Sequence, residues 1–507
     1  MRRIALAPLI LFGSTFLVYN LAAYANDPLA ELRLSSDDGA RQQIIALTRD
    51  LNLDVPPPIR YFLWLKGILG IFIGKFDLGD TRSATTVWEE LSYAIPVSLR
   101  LVFVATITAL VIGLALGIIS ALRQYSRFDY AMTFLAFLLF SLPIFWVAVL
   151  LKEFMAIQFN NFLSEPNIPI KWMVAFSIFI GIFWSSLFGG ERKRFWSVFG
   201  GAFATSFVIL WAIDFTDWYL NPGLGIILIA LLSVGIAFGV TAISTGLSNV
   251  PAKKAALTMA GLAVVWYYPA QWIFNNFGSY FTIFILISLI VLTGLGLSRI
   301  YSKIDHGPIA RTAIITGILS GFLILVDRIM QSWDDYFATD AVNGRPVPTY
   351  GQRKDQLVTE DFWLNNLDTI MHLVLPTLAL ILISVAGWIR YTRGALLEVL
   401  NQDYIRTARA KGLNEREVIT RHALRNTMLP LSSLFVGEFL GLISGAVITE
   451  RVFGWQGMGT LFIRGVNGGD PNLLMGVTLL FAVLTIFGNL LADLVYSALD
   501  PRIRLGK

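Results

Sequence analysis

Residues 401–430 read NQDYIRTARAKGLNEREVITRHALRNTMLP, a basic, helix-forming island set between two long apolar runs. The stretch from Asp403 to Lys411 is rich in good helix formers. Gly412 then supplies the left-handed position that commonly ends a helix. Asn414 can cap a second helix, with Glu417 three residues on to complete a capping-box-like pair. Two short helices meeting at a glycine make a compact knob, of the kind another protein grips. The alternative reading is a solvated loop made basic by the positive-inside bias alone.

The apolar runs on either side decide the fold class. Of 507 residues, 56% are hydrophobic and only 14% charged, against about 25% in soluble domains. Mean hydropathy is +0.66. Runs of about 18 apolar residues recur along most of the chain, so the spans are helices rather than barrel strands. The chain therefore reads as an all-α, polytopic integral membrane protein. A net charge of +5 would suggest nucleic acid in a soluble protein, but here the basic residues collect in short loops between helices and mark topology. Cysteine is absent from the sequence, which removes disulfides, thiolate chemistry and cysteine metal sites together.

Met1-Arg2-Arg3 and the apolar residues to about Ala25 imitate a secretory signal, with Ala23-Tyr24-Ala25 imitating a cleavage site. The run is long enough to span, and the reading is a retained first helix with a cytoplasmic N-terminus. A polar external loop follows over 26–96, with Pro56-Pro57-Pro58 and an amphipathic helix near 59–73. Helices are expected over about 97–122 and 131–156, the latter kinked at Pro143. Six further apolar runs lie near 170–189, 197–213, 223–244, 256–274, 279–298 and 309–327. Arg192-Lys193-Arg194, Lys253-Lys254 and Arg299/Lys303/Arg311 fall on one side of them, Asp214/Asp217 and Asn275-Asn276 on the other. The last helices cover about 370–397, 428–449 and 473–499, which places both termini in the cytoplasm.

Several motifs carry a resemblance. Asp403-Tyr404-Ile405-Arg406-Thr407-Ala408-Arg409-Ala410-Lys411-Gly412-Leu413, then Val418-x-x-x-His422-Ala423-Leu424-Arg425-Asn426 and Pro430, resembles the coupling loop of the dipeptide/oligopeptide permease family of ATP-binding cassette importers. NLDVPPPIRYFLWLKGIL at 52–69, GKFDLGD at 74–80, ERVFGWQGMG at 450–459 and the Asp500-Pro501-Arg502 ending resemble the same family. The resemblance implies a type I importer permease core of six helices, with a coupling loop at 401–425 that docks into a cleft on a separate ATPase. Asp403, Tyr404, Ala408, Arg409, Lys411, Gly412, Leu413 and His422 would form that surface, the small Ala408 and Gly412 letting backbone approach backbone. It also implies two ATPase subunits, a second homologous permease and an extracytoplasmic solute-binding protein as partners. The resemblance covers 1–156 and 369–507; the block at 157–368 has no counterpart and reads as about six inserted helices, expected to pack at the periphery.

The chain carries no recognisable nucleotide site. Gly70–Lys75 has one residue too few for a P-loop, and Phe76 stands where the magnesium-binding hydroxyl belongs. No catalytic residue, metal site or cofactor is assigned, and no nucleic-acid partner. Glycines four apart at Gly113/Gly117, Gly235/Gly239 and Gly437/Gly441/Gly445 have the spacing of close helix packing in lipid. Glu438, beside the third set, is a pathway candidate, with a hydrogen-bonded interhelical contact as the equal alternative. Asp493 reads as a structural polar contact, and Arg390 and Arg393 as snorkelling residues. His306, His372 and His422 are far apart in sequence. The functional reading is a permease subunit of an ATP-driven importer of peptides or similar small solutes, moving substrate inward by alternating access. The rival is a proton-coupled secondary transporter carrying its proton on Glu438 or Asp493.

Overall fold

The computed structural model describes residues 2–25, 27–34, 39–188, 190–302, 305–357 and 359–499. The Asp500-Pro501-Arg502 ending and Lys303 lie outside the described residues. Among those described there is no strand, only an isolated bridge between Asp80 and Thr86. Among the described residues, nine helices are long and apolar enough to cross a membrane, or ten when one bent pair is counted as a span. The protein is an all-α, multi-pass membrane protein. Two expected spans stand outside that count. Leu424–Gly445 is a helix of 22 residues whose last side chains lie outside the described residues. The run at 256–274 is two helices, Val250–Val265 and Tyr267–Asn276. Pro269 lacks the N–H that would bond Val265 and continue the first helix into the second.

The chain divides into two compact units. The first comprises 1–155, 349–352 and 373–507; the second 156–348 and 353–372. In the first unit, helix Arg2–Ala25 packs on Pro57–Leu69 and on Pro471–Leu499. Tyr19, Tyr61, Trp64 and Met475 form the buried seam, and the Thr15 and Tyr61 hydroxyls meet at 2.9 Å. Helix Val87–Leu122 starts ten residues before the expected 97, because Thr86 caps it by accepting from the Glu89 N–H at 3.3 Å. Further on, its backbone lies against the helix Phe362–Leu400, which crosses the boundary between the units after His372. A Cβ at Gly113 would stand 2.2 Å from the Trp388 Cβ, and one at Gly117 would stand 2.7 Å from the Thr392 Cβ. That close approach is what the small-residue spacing predicts.

The expected kink at Pro143 is a break. Arg127–Ser141 and the segment Ile144–Ser164 meet at 101°. Proline pushes the residue before it out of the helical region, and Leu142 is extended at φ −82, ψ 129. Ile144–Leu151 then packs on Val447–Phe453, and the Lys152 ammonium donates to the Val452 carbonyl.

The second unit contains a hairpin of Ile170–Phe188 and Arg192–Phe215, with Gly181 set against Phe199. It also contains a bundle of Gly225–Ser244, Val250–Val265, Tyr267–Asn276, Tyr280–Tyr301 and His306–Gln331. Asp327, 1% exposed, ties this bundle together. It accepts from the backbone N–H groups of Leu224 (2.6 Å) and Gly225 (3.1 Å) and from the Tyr267 hydroxyl at 2.7 Å. The Gln271 and Gln331 amides add bonds at 3.2 and 2.9 Å. These five donors satisfy the buried carboxyl group. Gly235 and Gly239, by contrast, face open space: a Cβ at either would meet nothing within 4 Å.

Candidate functional site

The 401–425 loop folds as a two-helix knob. Asp403–Ala410 is helical and stops where Gly412 turns left-handed at φ +78. A Cβ there would meet nothing within 4 Å, so the backbone conformation, not lack of room, requires glycine. Asn414 caps the second element, its side chain accepting from the Glu417 N–H at 2.8 Å. That element continues through a π-helical turn, Val418–Ala423, which bears the half-buried His422, and enters Leu424–Gly445.

The two helices hold each other through a small core. Ile405, Ala408, Val418 and Ala423 are buried with Ala121 and Leu396, and Leu413 packs against them. Ala408 is 5% exposed. It therefore packs inside the knob, where the sequence reading offers it outward to a docking partner. The knob's outer surface carries Asp403, Tyr404, Arg409, Lys411 and Gly412, all exposed. Arg409 clasps Glu415 through two bonds of 2.6 and 3.1 Å. That guanidinium holds the Glu415 carboxyl below its ordinary range. Arg421 likewise donates to Glu417, and Arg406 lies 3.4 Å from Asp403. These pairs engage the acidic side chains, while no ion pair is found for Lys411 among the described residues.

Arg390 and Arg393 correct the snorkelling reading. Arg393 makes a two-pronged pair with Asp129, at 2.6 and 2.9 Å. Asp129 is 2% exposed and also accepts from the Ser120 hydroxyl and the Tyr125 N–H. The pair links helix Phe362–Leu400, directly before the knob, to the start of the broken span. Arg390 stacks over Phe140, its guanidinium carbon 3.8 Å from the ring centroid.

The 450–459 motif forms a second buried polar centre, to which sequence reasoning assigned no role. Glu450 is fully buried. It accepts from the Ser98 hydroxyl and from the Thr460 N–H at 2.8 Å, while Ser98 accepts from the Met458 N–H at 2.8 Å. A Cβ at Gly457 would stand 2.3 Å from Glu450 Oε1, and one at Gly459 would stand 3.0 Å from Oε2. The glycines of G-W-Q-G-M-G thus make room for the carboxylate. Gly454 is left-handed at φ +69 and is covered by the Tyr350 ring, and the Gly351 N–H donates to the Phe453 carbonyl at 2.8 Å.

Glu438 is half-buried on Leu424–Gly445 and faces Ser384 and Trp388. A Cβ at Gly437 or Gly441 would meet nothing within 4 Å, and the surroundings of Gly445 lie outside the described residues. Asp493 is half-buried and engaged in an interaction. His372 is buried against Asp368 of its own helix, at 3.3 Å, and no group of three or more metal-ligating side chains occurs among the described residues.

Residues 256–505 match the model of the family described as binding-protein-dependent transport system inner membrane component. The chain is 45% identical over 138 residues to the oligopeptide transport system permease protein OppB of Mycobacterium tuberculosis H37Rv, covering 27% of this chain and 42% of that protein. It is 40% identical over 227 residues to the oligopeptide transport system permease protein AppB of Bacillus subtilis, covering 44% and 66%. With the dipeptide transport system permease protein DppB of the same organism it shares 35% over 206 residues, covering 39% and 66%. The match thus spans less than half the length of the first relative and just under two thirds of the other two.

Proposed function

We propose, for a chain that belongs to the family of binding-protein-dependent transport system inner membrane components, that it is one transmembrane permease subunit of an ATP-driven importer of peptides or similar small solutes. The self-packed knob at 401–425 carries this reading. It is rigid without a partner, since Ile405, Ala408, Val418 and Ala423 give it its own core. It also leaves Tyr404, Lys411 and the glycine turn exposed. Tyrosine is among the residues that dominate protein interfaces when buried.

The knob would seat in a cleft on an ATPase subunit. The assembly would hold two such ATPases, a second homologous permease and an external solute-binding protein. Closure of the ATPases draws the knobs together and switches the cavity from inward-facing to outward-facing. This chain contributes no nucleotide chemistry. The proton-coupled alternative leaves the knob without a use, and the relatives' names give it no support.

Tyr404→Ala and Lys411→Glu test the docking surface without touching the knob's core. Each is expected to lower recovery of the ATPase with the purified chain by about tenfold, the loss of one interface anchor. Uptake should fall in step while the amount of chain in the membrane is unchanged. Full ATPase recovery and full uptake in both variants would sink the docking model.

A further inference from the structure

The second unit holds a groove that the transport reading does not use. Helices Tyr280–Tyr301 and His306–Gln331, with the broken pair Val250–Val265 and Tyr267–Asn276, enclose a half-open cavity of about 310 Å³. That is the size of a small-ligand site. Its wall is aliphatic and aromatic, with Trp266 and Thr293 as the polar side chains. The Thr293 hydroxyl is already given to the Leu289 carbonyl at 2.7 Å. A peptide, sugar or ion would find no partners here, and burying its polar groups unpaired would be costly.

Two of the cavity's walls, Tyr280–Tyr301 and His306–Phe337, are membrane-spanning segments, so the surrounding medium is itself a supply of apolar chains.

A charge stands at one end of the groove. Phe274, on the lining, meets the Trp363 ring edge-on at a centroid distance of 5.2 Å. The Arg328 guanidinium lies 5.3 Å from the centre of that Trp363 ring. Arg328 sits one helical turn beyond the lining residues Ile324 and Leu325, which places it on the same face. Among the described residues its buried Nε has no hydrogen-bond partner, and its NH1 donates to the Ser332 hydroxyl at 3.3 Å. Asp335 and Asp361 are the carboxylates in its field, and neither closes on Nε. An ionisable group inside a spanning segment is a functional-site candidate by default.

We propose that this groove binds one bilayer phospholipid, an acyl chain filling the cavity and the phosphate accepting from Arg328. The inference rests on the spanning helices and is independent of the transport reading. It is tested on the full-length chain purified in mild detergent, by native mass spectrometry and by phosphate analysis of the extracted lipid. Wild type should retain one phospholipid per chain. Ala263→Phe and Ile287→Trp, which fill the groove from two helices, should each lower retention by about tenfold, and Arg328→Leu should do the same by removing the acceptor's partner. Leu228→Trp, exposed on Gly225–Ser244 and off the lining, should retain lipid as wild type does. The proposal is overturned by wild type free of phospholipid, by unchanged retention in both groove variants, by unchanged retention in Arg328→Leu, or by recovery of a free fatty acid in its place. Equal loss in Leu228→Trp also overturns it, since the lipid would then be annular.

Discussion

At the scale of single residues, the buried charges decide most. Asp129 is held by Arg393, Ser120 and Tyr125, and removing the arginine leaves a carboxylate buried without its counter-charge. Arg393→Leu is expected to cost about 3–5 kcal/mol, and adding Asp129→Asn to recover part of it. Thermal unfolding followed by tryptophan fluorescence in detergent checks both; no recovery in the double variant would mean the cost lies elsewhere. Glu450 has the opposite balance, since burial pushes its carboxyl upward. The native state then holds the proton more tightly than the unfolded chain does. Stability is therefore fuller at low pH and falls as pH rises from about 4.3, the ordinary glutamate value, through the native one. Glu450→Gln should flatten that part of the stability profile relative to wild type, an outcome read from melting curves across the acid range. Gly412 and the Asn414 cap were legible because a left-handed turn and an N-cap are local. Arg393 and Glu450 were not, since their partners stand 264 and 352 positions away.

At the scale of elements, identical spacings have separate fates. Gly113/Gly117 and Gly235/Gly239 read alike in the sequence, yet only the first pair abuts another helix. Gly113→Val should cost about 1–3 kcal/mol as Trp388 is driven off, whereas Gly235→Ala should be neutral or stabilise by up to about 1 kcal/mol through a stiffer unfolded chain. Melting temperatures of the two variants distinguish them; equal loss in both would contradict the packing described. The existence of nearly every spanning helix could be read from apolar runs, because burial in lipid leaves a long composition signal. Boundaries and bends were harder. Thr86 extends one helix outward by a cap, and the 101° break at Pro143 exceeds a proline kink. The proline says where the helix ends, while the packing of Ile144–Leu151 on Val447–Phe453 says where the chain goes next.

At the scale of the whole molecule, sidedness and the role of the second unit are the open commitments, and both can be measured. The cysteine-free sequence gives single-cysteine labelling no background. With both termini cytoplasmic, an impermeant thiol reagent added outside should label Asn467→Cys but neither Gln124→Cys nor Thr407→Cys, all at exposed positions. Labelling of Thr407→Cys would invert the topology and remove the ATPase from reach of the knob. For the inserted block the expectation is a peripheral position. Deleting 157–348 and joining Ala156 to Thr349 should leave insertion and uptake intact, with uptake falling by less than about twofold. Stable assembly with uptake abolished would instead make the block part of the solute's route or of its carrier's seat.

The Glu450 pocket has a further consequence, which belongs to inheritance. Gly457 and Gly459 are small because a carboxylate fills the space their side chains would need, and that carboxylate is accommodated only because they are small. No one of the three can drift alone: a larger residue at either glycine strikes the acid, and an apolar residue at 450 strands Ser98 and the Thr460 N–H. A lineage can exchange its cargo, lengthen its loops or acquire whole helices while these positions stay locked together. This turn is therefore expected to outlast every change of substrate, as a record of ancestry rather than of diet.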